Sequence, residues 1–85
     1  ASGQTDDPAR LVIMIDKNER IFLNQTAVNR TELGSELRRR LEQNPDQVVV
    51  IRADQDLSLQ ATIQVVDVAK LAGAEKFVIA TQPGL

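Results

Sequence analysis

Apolar residues fall into six groups along this chain, and their spacing separates strands from helices. Leu11 to Ile15 and Ile21 to Leu23 are short, β-branched-rich runs divided by Asp16-Lys17-Asn18-Glu19-Arg20. They read as the arms of a hairpin, with Asn18 suited to a left-handed turn conformation. Asn24-Gln25-Thr26 then breaks the pattern before Val28. Asn29 followed three residues on by Glu32 predicts a capped helix start, with Val28 and Leu33 spaced as a hydrophobic staple. Leu33, Leu37 and Leu41 recur every four residues until Asn44-Pro45 ends the run, a narrow apolar stripe on a charged cylinder. This first helix is expected on the surface.

Val48 to Ala53 is apolar throughout except at Arg52. Such a run predicts a strand covered on both faces, hence central and parallel to a neighbour. Asp54 to Ser58 is the turn that follows, and Ser58 is suited to cap a second helix. Leu59, Ile63, Val66 and Ala69 form one stripe of that helix, widened by Val65, Val68 and Ala72, so it is expected to be buried more deeply than the first. Gly73 ends it as a C-terminal cap. Phe77 to Thr81 is the last strand, stopped by Gln82-Pro83-Gly84. The order ββαβαβ predicts an α+β, two-layer fold. Val48–Ala53 and Phe77–Thr81 are parallel through a right-handed crossover in a mixed sheet, and both helices lie on one face.

The chain has 85 residues, 42% of them apolar and 26% charged, with net charge −2. That is one globular domain, and one so short buries only roughly 60 to 65% of the surface its unfolded form exposes, which leaves room for partner subunits to matter. No basic excess is present to hold nucleic acid. The run Arg38-Arg39-Arg40 is flanked by Glu36 and Glu42 and reads as a solvated helix face. Cysteine and histidine are absent, which removes thiol nucleophiles, disulfides, Cys/His metal sites and imidazole-based triads. No apolar run reaches the roughly 18 residues of a membrane span, and the start lacks a signal-peptide core. Ala1 to Arg10 is expected to be a tail or linker before a single domain over residues 11–85. A start without Met, on small and polar residues, fits equally a fragment whose upstream part has been removed.

Asp54 and Asp56, at the carboxyl end of a strand, are the best acid/base or metal candidates. Two carboxylates on one loop are fewer ligands than a divalent cation wants, and turn and helix-start chemistry accounts for both. Arg52 inside an apolar strand either pairs with Asp54, two residues on along the same face, or marks an edge or partner contact. Asp67 is spaced to pair with Lys70. Phe77, Val78, Ile79, Ala80 and Thr81 form a strongly β-forming segment near the chain's end. At a sheet edge its free backbone groups would invite pairing with another chain; inside the sheet it would be an ordinary core strand.

With these elements in order, the sequence resembles the periplasmic domain of the ExbD/TolR family. The resemblance is carried by the opening hairpin with IFLN in its second arm, Thr31-Glu32-Leu33 followed by Leu37 and Leu41, Arg52-Ala53-Asp54, Val65-Val66-Asp67, Ala72-Gly73, and Phe77 to Pro83 ending in ATQP. Each motif is short; their order and spacing over Leu11 to Pro83 make the match. The Thr-Gln-Pro ending and Asn44-Pro45 lean towards TolR, whereas Arg-Ala-Asp is as familiar from ExbD. Leu59 stands where the family commonly has Tyr, and Asn18-Glu19 where its hairpin turn often has glycine.

The resemblance implies a non-enzymatic, cofactor-free periplasmic piece of a single-pass inner-membrane energy transducer of a Gram-negative bacterium. Such proteins are dimers that work with a pentameric ExbB/TolQ-type channel and use proton flow to drive TonB or TolA. The proton-handling Asp belongs to a transmembrane helix upstream, absent from this chain and its only link to the membrane, so no acidic residue here takes that role. In TolR relatives the domain is also implicated in peptidoglycan binding, and the last strand in dimerisation and partner-strand addition. Phe77 to Thr81 is thus the expected dimer or partner strand, with Arg52, Asp54, Asp56 and Leu59 as a candidate partner surface. The alternative from the residues alone is a small-ligand-sensing or regulatory module binding near Arg52, Asp54 and Asp56, followed by a small hydrolase using Asp54.

Overall fold

The computed structural model describes residues 10–85, which run β1 (Arg10–Ile15), β2 (Ile21–Leu23), β3 (Thr26–Val28), α1 (Arg30–Gln43), β4 (Val48–Asp54), α2 (Leu59–Leu71) and β5 (Lys76–Gln82). The expected tail lies outside the described residues except for Arg10, which opens β1 opposite Val48. One sheet holds the strands in the order β3-β2-β1-β4-β5. β4 runs parallel to both of its neighbours, while β1, β2 and β3 form an antiparallel meander. The architecture is therefore the expected two-layer α+β fold with a mixed sheet, in a slab of 35 × 33 × 20 Å.

Alternation along the strands sorts the sheet into two unlike faces. Ile13 lies beside Leu23 and Ile51, and Ile15 beside Ile21 and Ala53, so these side chains share one face. All are buried, in one core with Leu33, Leu37 and Leu41 of α1 and Val65 and Ala69 of α2. Both helices thus cover the same side. The opposite alternates, Val12, Met14, Phe22 and Val50, are only half-buried. Here the expectation for Val48–Ala53 is half right: β4 is central and parallel, but helices cover just one of its faces.

The additional strand, β3, follows from a turn that the chain's composition conceals. Asn24 (φ 47°) and Gln25 (φ 75°) are both left-handed, the geometry of a two-residue hairpin turn matched to strand twist. Glycine would normally announce such a turn; its absence makes the segment read as a break. Asn24 also completes the β1–β2 ladder, donating its N–H to the Val12 carbonyl while its Oδ1 accepts the Val12 N–H, both at 2.9 Å. At the β1–β2 turn the left-handed residue is Glu19 (φ 66°) and not Asn18. Asp16 organises this turn: its carboxylate accepts the N–H groups of Asn18 and Arg20 (2.9 Å each) and Nε of Arg20 (2.8 Å).

Both helix starts form as expected. Asn29 and Glu32 make a reciprocal capping box, and Ser58 Oγ accepts the Ala61 N–H at 3.1 Å. At the far end of α2, Gly73 N–H donates to the Lys70 carbonyl and Ala74 N–H to that of Ala69, closing the helix with Gly73 at φ 110°. This paired arrangement requires a left-handed residue, which is why glycine stands there. The apolar stripe of α2 is rotated from the expected one. Ala61, Val65 and Ala69 face the core, whereas Leu59 (75% exposed) and Ile63 (49%) do not. The core-facing side is rich in small residues, which lets α2 approach the sheet but leaves it no more deeply buried than the leucine stripe of α1.

Candidate functional site

The three parallel strands carry their carboxyl ends to one rim of the sheet, and there the Arg52-Ala53-Asp54 segment meets the end of the chain. Asp54 closes β4 and is 2% exposed, its side chain covered by its own turn and by the end of the chain. Its Oδ1 accepts the Asp56 N–H at 2.8 Å and its Oδ2 the Leu85 N–H at 2.9 Å. The Leu57 N–H donates to the Asp54 carbonyl at 3.0 Å, which completes a tight turn into α2. A short acidic side chain suits this role because it can accept backbone donors two residues on while remaining compact.

Arg52 is attached to the same chain end by another route. It lies between Met14 and Ala80 on the helix-free face and donates Nε to Gln82 Oε1 at 2.8 Å. The Gln55 N–H also donates to the Gln82 carbonyl at 2.9 Å. Arg52 therefore does not pair with Asp54: the carboxylate is engaged by backbone donors, and Gln82, directly across the ladder from Asp54, offers the guanidinium a neutral acceptor. The expected Asp67–Lys70 pair is likewise not formed. Among the described residues the ion pairs join Asp16 to Arg20, and Glu36 to Arg39 and Arg40, so the arginine run of α1 is partly neutralised from within the helix.

The four rim candidates thus have different surroundings. Asp54 is buried, Arg52 is half-buried on the helix-free face, and Asp56 and Leu59 are exposed. What links Arg52 to Asp54 is the segment Gln82–Leu85, which approaches from some thirty positions away and which no local pattern at Arg52 or Asp54 would reveal. Asp16 was also missed as an organising residue, although Asp-x-Asn at the end of an apolar run is a usable turn signal.

β5 is an edge strand, paired with β4 on one side only. Among the described residues no strand pairs with the other side of β5, so within the described sheet it is an edge strand and not the interior strand of the alternative reading. Every second residue of such a strand points its N–H and C=O away from the ladder. Val78 and Ile79 are each 51% exposed, one on either face. Ile79 stands beside Ile51 on the helix-bearing side. Helical geometry places Leu59 and Ile63 on the flank of α2 turned away from α1, because Val68, which approaches Gly34 of α1, projects from the opposite flank. Exposed apolar side chains thus stand both on β5 and on the flank of α2 turned away from α1.

No described helix is long and apolar enough to cross a membrane. No individual curated protein matches the chain. The family model described as biopolymer transport protein ExbD/TolR matches residues 1–84, which agrees with the order of motifs from the opening hairpin to the final Thr81-Gln82-Pro83: the chain belongs to the ExbD/TolR family, whose proteins serve biopolymer transport.

Proposed function

We propose that this domain is the periplasmic, non-enzymatic part of an inner-membrane energy transducer, and that it dimerises and engages its driven partner by strand pairing along β5. The observation that carries this reading is the open edge of Lys76–Gln82, a seven-residue strand with one side of its backbone unpaired and with Val78 and Ile79 half-exposed. Main-chain pairing along such an edge supplies affinity, and alternate side chains supply register and selectivity. On this reading the upstream portion couples to an ExbB/TolQ-type channel, the driven partner is TonB or TolA, and peptidoglycan is a further ligand. Arg52 and Asp54 stand on β4 beside the carboxyl end of β5, and Asp56 and Leu59 follow in the turn and at the start of α2. Their part is to hold β5 in register (Arg52 and Asp54) and to border the partner (Asp56 and Leu59).

The small-ligand alternative and the hydrolase reading both need Asp54 to face a ligand. Its two oxygens are instead engaged by backbone donors, Asp56 within the turn and Leu85 from the chain end, which favours the strand-pairing reading.

The test is titration of isotopically labelled protein with a TonB- or TolA-type peptide. Amide shifts running along Phe77 to Thr81 are expected, together with a higher apparent mass in sedimentation for the unliganded dimer. Shifts confined to the turn at Asp54, with none along β5, would count against it.

A further inference from the structure

The helix-free face of the sheet conflicts with the sequence of its strands. Three consecutive parallel strands, β1, β4 and β5, are almost always covered on both sides, and near-continuous apolar runs such as Val48-Val49-Val50-Ile51 are the mark of that double cover. Here α1 and α2 supply only one layer. The side that no described element covers presents Val12, Val50 and Val78 in one row across three strands, with Met14 beside Phe22 in the next. Solvated sheet faces ordinarily alternate to polar residues; this one is polar towards its two ends and apolar across its middle.

The solvent-reachable charges at the described strand positions of this face are of one sign. Arg10, Val48 and Lys76 form the row at one end, and Arg52 stands in the row at the other. No described strand position on this face carries an exposed carboxylate: Asp54 is buried and bonded to its turn and to Leu85, and Asp16, just past β1, is buried and bonded within its turn. The two cationic rows are four residues apart along the strands, about 13 Å at about 3.3 Å per residue. That separation accommodates a helix of about 10 Å diameter crossing the strands over the valine row, or about nine residues of one lying along them.

We infer that this face docks an acidic amphipathic helix of a partner protein, which supplies the missing second layer of the sheet. Its apolar stripe covers Val12, Val50 and Val78, and its carboxylates meet Arg10 and Lys76 at one border and Arg52 at the other. A second copy of this chain does not fit as occupant, because face-to-face packing would set these cations against their own kind. The site is distinct from the β5 edge, since it uses side chains of one face and leaves the backbone of the edge free.

The experiment uses this chain, isotopically labelled, with a synthetic helical peptide bearing leucines at helical spacing and glutamates elsewhere. A twin with lysines for the glutamates and vesicles of phosphatidylglycerol and phosphatidylcholine serve as comparisons. The acidic peptide is expected to shift the amides of Val12, Val50 and Val78, and the lysine twin to bind at least tenfold more weakly. Lys76→Glu, on an exposed side chain, should weaken the acidic peptide several-fold while preserving the rest of the spectrum, and Val78→Asp should do so more strongly. Equal binding of both peptides, shifts only along the β5 edge, binding to vesicles but not to the acidic peptide, or self-association that covers Val12 and Val50 would each overturn the inference. Loss of strand pairing at β5 with these shifts retained would instead bear on the proposed function alone.

Discussion

Replacement of Asp54 tests most directly how the rim is held together. The carboxylate accepts two backbone N–H groups, from Asp56 and from Leu85, in a residue that is 2% exposed. A hydrogen bond to a charged group contributes about 1.5–3 kcal/mol. Both donors lie at positions that solvent can reach, Asp56 exposed and Leu85 half-buried, so water replaces part of what Asp54→Ala removes. The expected cost is therefore about 2–4 kcal/mol, short of the full sum. A domain of this length has a total stability of roughly 4 to 13 kcal/mol, so the loss is a large share of it. Asp54→Asn keeps the shape and one acceptor oxygen but turns an amide donor towards one of the two N–H groups, at a cost of about 1–2 kcal/mol. Urea unfolding followed by circular dichroism should show the midpoint falling in the order wild type, Asn, Ala with an unchanged slope. Hydrogen exchange should quicken at Leu85 and along Gln82 in both variants. An Ala variant within about 0.5 kcal/mol of wild type, the range of an ordinary surface substitution, would refute the view that this carboxylate fastens the chain end.

Gln25 and Glu19 sit at left-handed φ values of 75° and 66°. A non-glycine residue there costs about 1–2 kcal/mol, part of which glycine gives back through the entropy of the unfolded chain, so Gln25→Gly and Glu19→Gly should each raise stability by about 0.5–1 kcal/mol in thermal or urea unfolding. Burial by itself would raise the pKa of Asp16, but the backbone and side-chain hydrogen bonds from Arg20, the N–H of Asn18 and the nearby guanidinium charge together hold it below the usual carboxylate value. A folded-state pKa below the unfolded value of about 3.9 means that this contribution is complete above that pH and is lost as pH falls through the folded value. Asp16→Asn should therefore lower stability at neutral pH and flatten the acid limb of the stability curve below about pH 4, whereas an unchanged limb would show that other carboxylates set it.

What the sequence disclosed follows the range of the interactions. The helix starts at Asn29 and Ser58 and the stop at Gly73 are written within a few residues, because capping groups bond to backbone three or four positions away. The apolar runs likewise located β1, β2, β4 and β5. β3 was hidden because its turn uses Asn24-Gln25 without glycine, and because three residues hold too little alternation to be seen. The α2 stripe is rotated because Leu59 and Ile63 have the hydrophobicity of core residues but stand on an exposed flank of the helix. The edge position of β5 and the uncovered side of β4 are properties of strand order, and the bonds from Asp54 and Arg52 to Leu85 and Gln82 span about thirty positions. No local pattern encodes them, although the family's motif order pointed to the same strand.

The place of β1 in the sheet has a mechanical consequence. This strand is the first described element, and it is gripped on both sides, by β2 in one direction and by β4 along its whole length in the other. Tension applied at Arg10 along the strand axis would load both ladders in shear, so that many backbone bonds must yield together. A pull across the outer edge of β5 would instead part its single ladder one bond after another. The domain is therefore stiff towards traction from its amino-terminal side and compliant at its last strand, an asymmetry that fits the transducer role proposed for it.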